Sequence, residues 1–177
     1  ALPIWDVLHA KFPKLIYASA SGFGHSGPDR LRPAYDIVVQ GMGGIMSVTG
    51  HAGGPPTRVG MSIGDIGAGL YTCIGVQSAL FHRAMTGEAT KVDISMFDCQ
   101  LALLENAALR YFLTGTAPGP LGVRHQSITP FEVYDAADGY VVIAAGNDAL
   151  FVKLCDALGR SELSKDPRYL TNPLRNK

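Results

Sequence analysis

The sequence predicts an α/β chain in two parts: a parallel βαβ arrangement over residues 1–115 and a smaller α+β unit with an antiparallel hairpin over residues 127–177. Three observations carry this. β-prone runs at Lys14–Ala20 and Thr90–Met96 flank a long apolar segment of helical period, the succession that generates parallel strands. Next, the turn-formers of Thr116-Ala-Pro-Gly-Pro-Leu-Gly122 end helical character and read as a hinge, with 116–126 as linker and loop. Beyond it, Pro130–Tyr134 and Tyr140–Ala145 bracket Asp138-Gly139, a pair suited to the positive φ values of a tight hairpin turn.

With 177 residues, 47% hydrophobic and 17% charged, the chain can bury a sizeable core. Fifteen basic residues balance fifteen acidic ones, which argues against a nucleic-acid surface or a polybasic membrane anchor and favours small molecules or another protein surface as partners. Cys73, Cys99 and Cys155 have no metal-ligand or CxxC spacing; two lie in helical apolar stretches, where a buried free thiol is the ordinary explanation. His25, His51 and His82 lack zinc spacing and read as structural, so no metal is expected. There is no uncharged run of eighteen apolar residues and no secretory signal in residues 1–20; the expected compartment is the cytoplasm or an organelle matrix.

Element by element, Ile4 to Ala10 forms a short helical phrase that Phe12-Pro13 breaks. After the first strand, Ser21-Gly-Phe-Gly-His-Ser-Gly27 matches G-x-G-x-x-G, but a dinucleotide site also needs a helix to open at the glycines. Pro28 and Pro33 forbid a long one, so the expected architecture is Rossmann-like without a dinucleotide. Gly24 and its neighbours instead let a loop approach a ligand at the carboxyl end of the strand. Ile37 to Val48 reads as one apolar helix, with Gly41, Gly43 and Gly44 for tight packing, and Thr49–Thr57 as a loop.

The central stretch is Val59-Gly-Met-Ser-Ile-Gly-Asp65-Ile-Gly-Ala-Gly-Leu70. From Ile66, residues Leu70, Cys73, Ile74, Gln77, Leu80, Phe81 and Ala84 form a helical stripe ending at Gly87, the usual residue just past a helix end. Asp65 then lies at or just before the first turn, where unpaired N–H groups and the helix dipole favour negative charge. With Gly64, Gly67 and Gly69 admitting a ligand, it could act as nucleophile or base; on local grounds a capping residue of this type reads first as an N-cap. Phe97 to Thr114 reads as a second helix burying Phe97, Leu101, Leu104, Ala108 and Phe112, with Asp93 and Asp98 as caps. Leu150–Leu158 is a short helix closed by Gly159, and residues 161–177 start no completed element.

Several phrases in order resemble the family III CoA-transferases, which include formyl-CoA:oxalate, carnitine and succinyl-CoA:glutarate transferases and the 2-methylacyl-CoA racemases. They are Leu15-Ile-Tyr-Ala-Ser-Ala-Ser-Gly-Phe-Gly-His-Ser-Gly-Pro28, Arg32-Pro-Ala-Tyr-Asp36, Gly43-Gly-Ile-Met-Ser-Val-Thr-Gly50, Gly60-Met-Ser-Ile-Gly-Asp-Ile-Gly-Ala-Gly69, Thr86-Gly87 before Val92-Asp-Ile-Ser-Met96, and Asp138-Gly-Tyr140 before Ala145-Gly-Asn147. They span almost the whole chain and a central portion of the longer family pattern.

The resemblance implies that the acid matching Asp65 attacks an acyl-CoA thioester, passes through a mixed anhydride and an aspartyl-CoA thioester, and yields CoA to a small carboxylic acid. It implies no covalently bound cofactor, coenzyme A arriving as substrate, and an interlocked homodimer. In the racemase branch a His stands where this sequence has Tyr35; a phenol exchanges protons poorly near neutral pH but can donate a hydrogen bond, which favours the transferase. Leu121–Pro130 resembles the loop covering the nucleophile, where Arg124 or His125 could clamp an acceptor carboxylate. That loop lacks the glycine-rich form of the oxalate enzymes and looks closer to the succinate and glutarate branch. Arg32 and Arg58 are candidates for CoA phosphates. A racemase, or a catalytically incomplete piece that only binds CoA esters or dimerises, remains the alternative.

Overall fold

The computed structural model describes residues 4–177 and is a mixed α/β structure of two compact units. The first runs to Gly50 and resumes over Gly54–Pro120; the second comprises His51–Gly53 and Leu121–Lys177.

In the first unit, α1 (Trp5–Lys11) precedes β1 (Tyr17–Ser21), and the glycine-rich segment that follows forms turns, as the two prolines require. β1 pairs in parallel with β2 (Lys91–Ser95), Tyr17 opposite Lys91 through Ser21 opposite Ser95. The crossover contains α2 (Asp36–Met42), α3 (Ile45–Val48) and the 24-residue α4 (Ile63–Thr86), closed by Gly87 at φ +80°. The helix expected over 37–48 is two: Gly44 at φ +88° reverses the chain, and a Cβ at Gly43 would sit 2.6 Å from Gln100 Cβ. The helix expected over 97–114 is also two, α5 (Met96–Leu103) and α6 (Asn106–Thr114), separated at Glu105, whose φ of +37° no helix accommodates.

The face that α4 buries is not its apolar stripe. Leu70, Ile74, Leu80 and Phe81 are exposed, as is Cys73, whereas Gly64, Gly67, Ala68 and Ala79 are buried. The stripe of small residues packs inward because its neighbours come too close for anything larger. A Cβ at Gly75 would lie 2.5 Å from Val92 Cγ1, and one at Gly67 would lie 2.9 Å from Leu103 Cδ1. On α5 and α6, Leu101 and Phe112 of the expected buried face are exposed, Phe97, Leu104 and Ala108 are half-buried, and Cys99 and Gln100 fill the interior. Nor are Asp93 and Asp98 caps: Ser95 Oγ accepts from the Asp98 amide, and Asp93 Oδ2 accepts from the His25 amide at 2.9 Å.

The second unit contains the expected hairpin, β3 (Phe131–Ala136) and β4 (Gly139–Ala144), with Ala136 opposite Gly139. The two-residue turn is therefore Ala137-Asp138, and Asp138 is not among the positive-φ residues. α7 (Asp148–Ala157) is capped by Asn147 Oδ1, which accepts from the Leu150 amide, and Gly159 at φ +66° follows it. The tail expected to be irregular forms a 3₁₀ turn, Ser161–Lys165, and α8 (Asn172–Arg175), with Arg175 buried.

Candidate active site

Asp65 is the third residue of α4 and is exposed; among the described residues nothing donates a hydrogen bond to its carboxylate. It is not the N-cap. That position is Ser62, whose side chain caps nothing, and the capping acceptor comes from elsewhere: Asp36 Oδ1, on α2, accepts from the Gly64 amide at 2.8 Å. Asp36 Oδ2 accepts from Gln40 Nε2 at 2.9 Å and from Arg58 Nη2 at 3.1 Å.

The approach to α4 is bound to the same group of side chains. Gln40, fully buried, donates to the Met61 carbonyl and accepts from the Val59 amide, and Arg58 Nη1 donates to the Gly60 carbonyl. From α5, Gln100 Nε2 donates to the Ile63 carbonyl at 3.4 Å. Burial alone would raise the Asp36 carboxyl, but the hydrogen bonds from Gln40, Gly64 and Arg58 and the charge of Arg58 outweigh it and hold it below its ordinary value. Arg58 is thereby engaged with Asp36 and with the loop carbonyl.

Tyr35 is the N-cap of α2 and is 81% exposed, its ring free of the core. Its neighbour Asp36 bonds to the neighbour of Asp65, so one hydrogen bond links the chain at Tyr35 to the chain at Asp65. Of the three glycines expected to admit a ligand, Gly64 and Gly67 face Val39 and Leu103; only Gly69 opens on space. Gly24 is buried at φ +78°, with Ser95 Cβ 3.5 Å from where its own Cβ would be. Arg32 lies over the Phe23 ring at 5.3 Å and 4.0 Å from Asp29. His25 Nε2 meets Ser19 Oγ at 3.0 Å, which ties the loop to β1. A cavity of about 250 Å³ between α4, β2 and α5, lined by Tyr71, Asp93, Ser95 and Asp98 among others, includes neither Asp65 nor Tyr35.

Arg124 and His125 belong to the second unit. Arg124 Nη2 donates to Asn176 Oδ1 at 3.1 Å. His125 Nδ1 accepts from the Ser127 and Ile128 amides at 3.2 and 3.1 Å, which leaves Nε2 as the protonated nitrogen able to donate. Arg175, 8% exposed, donates to the carbonyls of Thr129 and Tyr169 and to Asp148 Oδ1, and lies 4.4 Å over the Phe151 ring. Asn172 and Asn176 on and beside α8 complete the clasp on residues 127–129. The sequence assigns no site role to Asp36 or Arg175; Asp36 heads an apolar helix and reads as that helix's own first-turn acid.

The profile of CoA-transferase family III matches residues 4–177. The chain belongs to that family. It is 49% identical over 161 residues to acetyl-CoA:oxalate CoA-transferase of Acetobacter aceti, an alignment covering 90% of this chain and 41% of that one. It is 41% identical over 171 residues to succinate–glutarate CoA-transferase of Agrobacterium fabrum, covering 97% and 43%. A crystal structure of a CaiB/BaiF family protein from Brucella suis superposes with a TM-score of 0.80 at 44% identity, covering 97% of this chain and 46% of that one. The chain thus spans less than half the length of these family III relatives. Among its described residues no helix is long and apolar enough to cross a membrane, and no three His, Cys, Asp or Glu side chains gather as metal ligands would.

Proposed function

We propose that this chain carries the nucleophile of a CoA-transferase that moves CoA from an acyl-CoA thioester to a small carboxylic acid. The observation that supports it is the position of Asp65: an uncrowded carboxylate on the first turn of a long helix, with its backbone fixed and its side chain free. An Asp65 oxygen attacks the thioester carbonyl carbon, the C–S bond breaks, and CoA departs as thiolate from an acyl-aspartyl anhydride. The thiolate attacks the aspartyl carbonyl, expels the donor acid and leaves an aspartyl-CoA thioester. An acceptor carboxylate attacks that carbonyl, CoA leaves again, and its return to the acceptor's carbonyl frees Asp65. A carboxylate is a weak nucleophile, so pre-placement supplies most of the advantage.

Tyr35 donates a hydrogen bond to substrate carboxylate or to Asp65, and Gly24 contributes loop backbone at the carboxyl end of β1. Arg32 meets CoA phosphate, and Arg124 with His125 clamps the acceptor. The relatives named for oxalate, succinate and glutarate support a short dicarboxylic acid as acceptor. The working enzyme is a homodimer. Incubation with succinyl-CoA followed by hydroxylamine yields an aspartyl hydroxamate at residue 65, read by peptide mass, and borohydride reduces the thioester there to homoserine. Asp65→Ala lowers transfer by at least about 1,000-fold with acyl-CoA binding retained. Full transfer by that variant would end the reading.

A further inference from the structure

The buried polar cluster under the first turn of α4 serves no ligand directly, since Gln40 is fully buried and Asp36 is 8% exposed. Its bonds run instead to backbone: Val59 N, Gly60 O and Met61 O lie in the strap entering α4, and Gly64 N in its first turn. A helix begins with unpaired amides, and the residue that ordinarily satisfies them sits at the N-cap of the same helix. Here Ser62 makes no such bond, and a residue from a separate helix takes the role. A local cap would let the first turn of α4 shift relative to α2; this one cannot.

We infer that Asp36 is a positioning residue, and that its bond to the Gly64 amide sets the separation of Tyr35 and Asp65 for chemistry. Each candidate reacting residue is covalently next to one end of that 2.8 Å bond. Three features make the join stiff. A Cβ at Gly64 would be 2.7 Å from Val39 Cγ2 and 3.0 Å from Asp36 Oδ1, so only glycine lets α4 approach α2 this closely. Val39 is fully buried beside it. Gln40 and Arg58 hold the second carboxylate oxygen, so turning the side chain away from Gly64 also breaks these two bonds. Displacement by about 1 Å of a group that must meet a thioester carbon costs on the order of 100-fold in rate.

This inference rests on the nucleophile reading of Asp65, and its test separates the two. Asp36→Ala, Asp36→Asn and Ala79→Gly are compared with the parent in steady-state transfer and in amide exchange at Gly64 and Asp65. Asp36→Ala lowers kcat on the order of 100-fold with KM for acyl-CoA changed less than about threefold. Asp36→Asn keeps an oxygen for the Gly64 amide but turns its amide nitrogen toward the donors Gln40 Nε2 and Arg58 Nη2, so it recovers part of that loss, about tenfold. Ala79→Gly, which weakens the far half of α4, lowers the melting temperature without touching kcat. A fall in kcat that Asp36→Asn does not rescue, or that Ala79→Gly reproduces at equal loss of stability, overturns the positioning role in favour of simple folding. If the parent forms no adduct at Asp65, the nucleophile reading has failed independently. Exchange then decides: selective opening of Gly64 and Asp65 in Asp36→Ala upholds the anchor, and unchanged protection removes it.

Discussion

Asp36 in the first unit and Arg175 in the second are buried to the same extent, 8% exposed each, yet they are satisfied in opposite ways. The anion collects donors, a helix-start amide, a carboxamide and a guanidinium, and so grips the end of α4 that carries Asp65. The cation collects acceptors, two loop carbonyls and Asp148, and stacks over Phe151, and so closes α8 against residues 127–129. A buried ion costs desolvation wherever it sits; what differs is the element whose orphan groups offset it. In the first unit that element is the mouth of a helix with a candidate nucleophile, and in the second it is the strap behind Arg124 and His125.

The largest effect expected from breaking the comparison is on stability. Arg175→Ala strands the Thr129 and Tyr169 carbonyls and loses the ring contact, a destabilisation of about 3 kcal/mol. Asp148, whose side chain is 59% exposed, returns to water at little cost. Asp36→Ala strands one N–H of the Gln40 carboxamide and the Gly64 amide while Arg58, 39% exposed, turns outward, for a loss of about 2 kcal/mol. Hydrogen exchange under denaturant locates each loss; if Arg175→Ala loosens α4, or Asp36→Ala loosens α8, the two ions do not act on separate units.

Acid sharpens the contrast, because the ion held in the first unit is a carboxylate. Asp36 is held below its ordinary value of 3.8, so its share of stability is complete above the unfolded carboxyl's range and disappears as pH falls through the lowered native value. The first unit therefore loses protection in α4 below about pH 4 in a way that Asp36→Asn flattens, while the bonds of Arg175 in the second unit serve as the internal comparison. An acid limb identical in parent and Asp36→Asn would show that another carboxyl sets it.

How far the sequence could be read differs along the same lines. β1, β2, the hairpin and the span of α4 follow from residue type and local period, and Gly87 and Gly159 mark helix ends because only a left-handed residue fits there. The buried face of α4 does not follow from period alone, since Gly64, Ala68, Gly75 and Ala79 repeat with helical spacing as well as Leu70, Ile74 and Phe81 do. Which stripe packs inward is decided by how near Val92 and Leu103 come, a property of other elements. Asp65 was legible from its place among glycines at a helix start. Asp36 was not, because its partner lies 28 residues on in another helix, and no local pattern records a cap lent across elements.

The glycines of α4 carry the smallest predicted effects and the finest test of the site. Gly75→Ala drives a methyl to 2.5 Å from Val92 Cγ1, backed by β2, and destabilises by about 2 kcal/mol in thermal unfolding. Gly69→Ala is its opposite. Nothing lies within 4 Å of the new methyl, so the helix gains about 0.5–1 kcal/mol from the better helix former. Residue 69 is one turn past Asp65 on the same face, and a helical Cβ leans toward the N-terminus, so that methyl stands on the side of α4 that carries Asp65, more than 4 Å from its carboxylate. If an acyl-CoA lies along this face, Gly69→Ala raises the melting temperature yet raises KM severalfold. A more stable protein with unchanged KM would mean that the thioester approaches Asp65 from another side, and that the open glycine is a feature of the helix surface and not of the site.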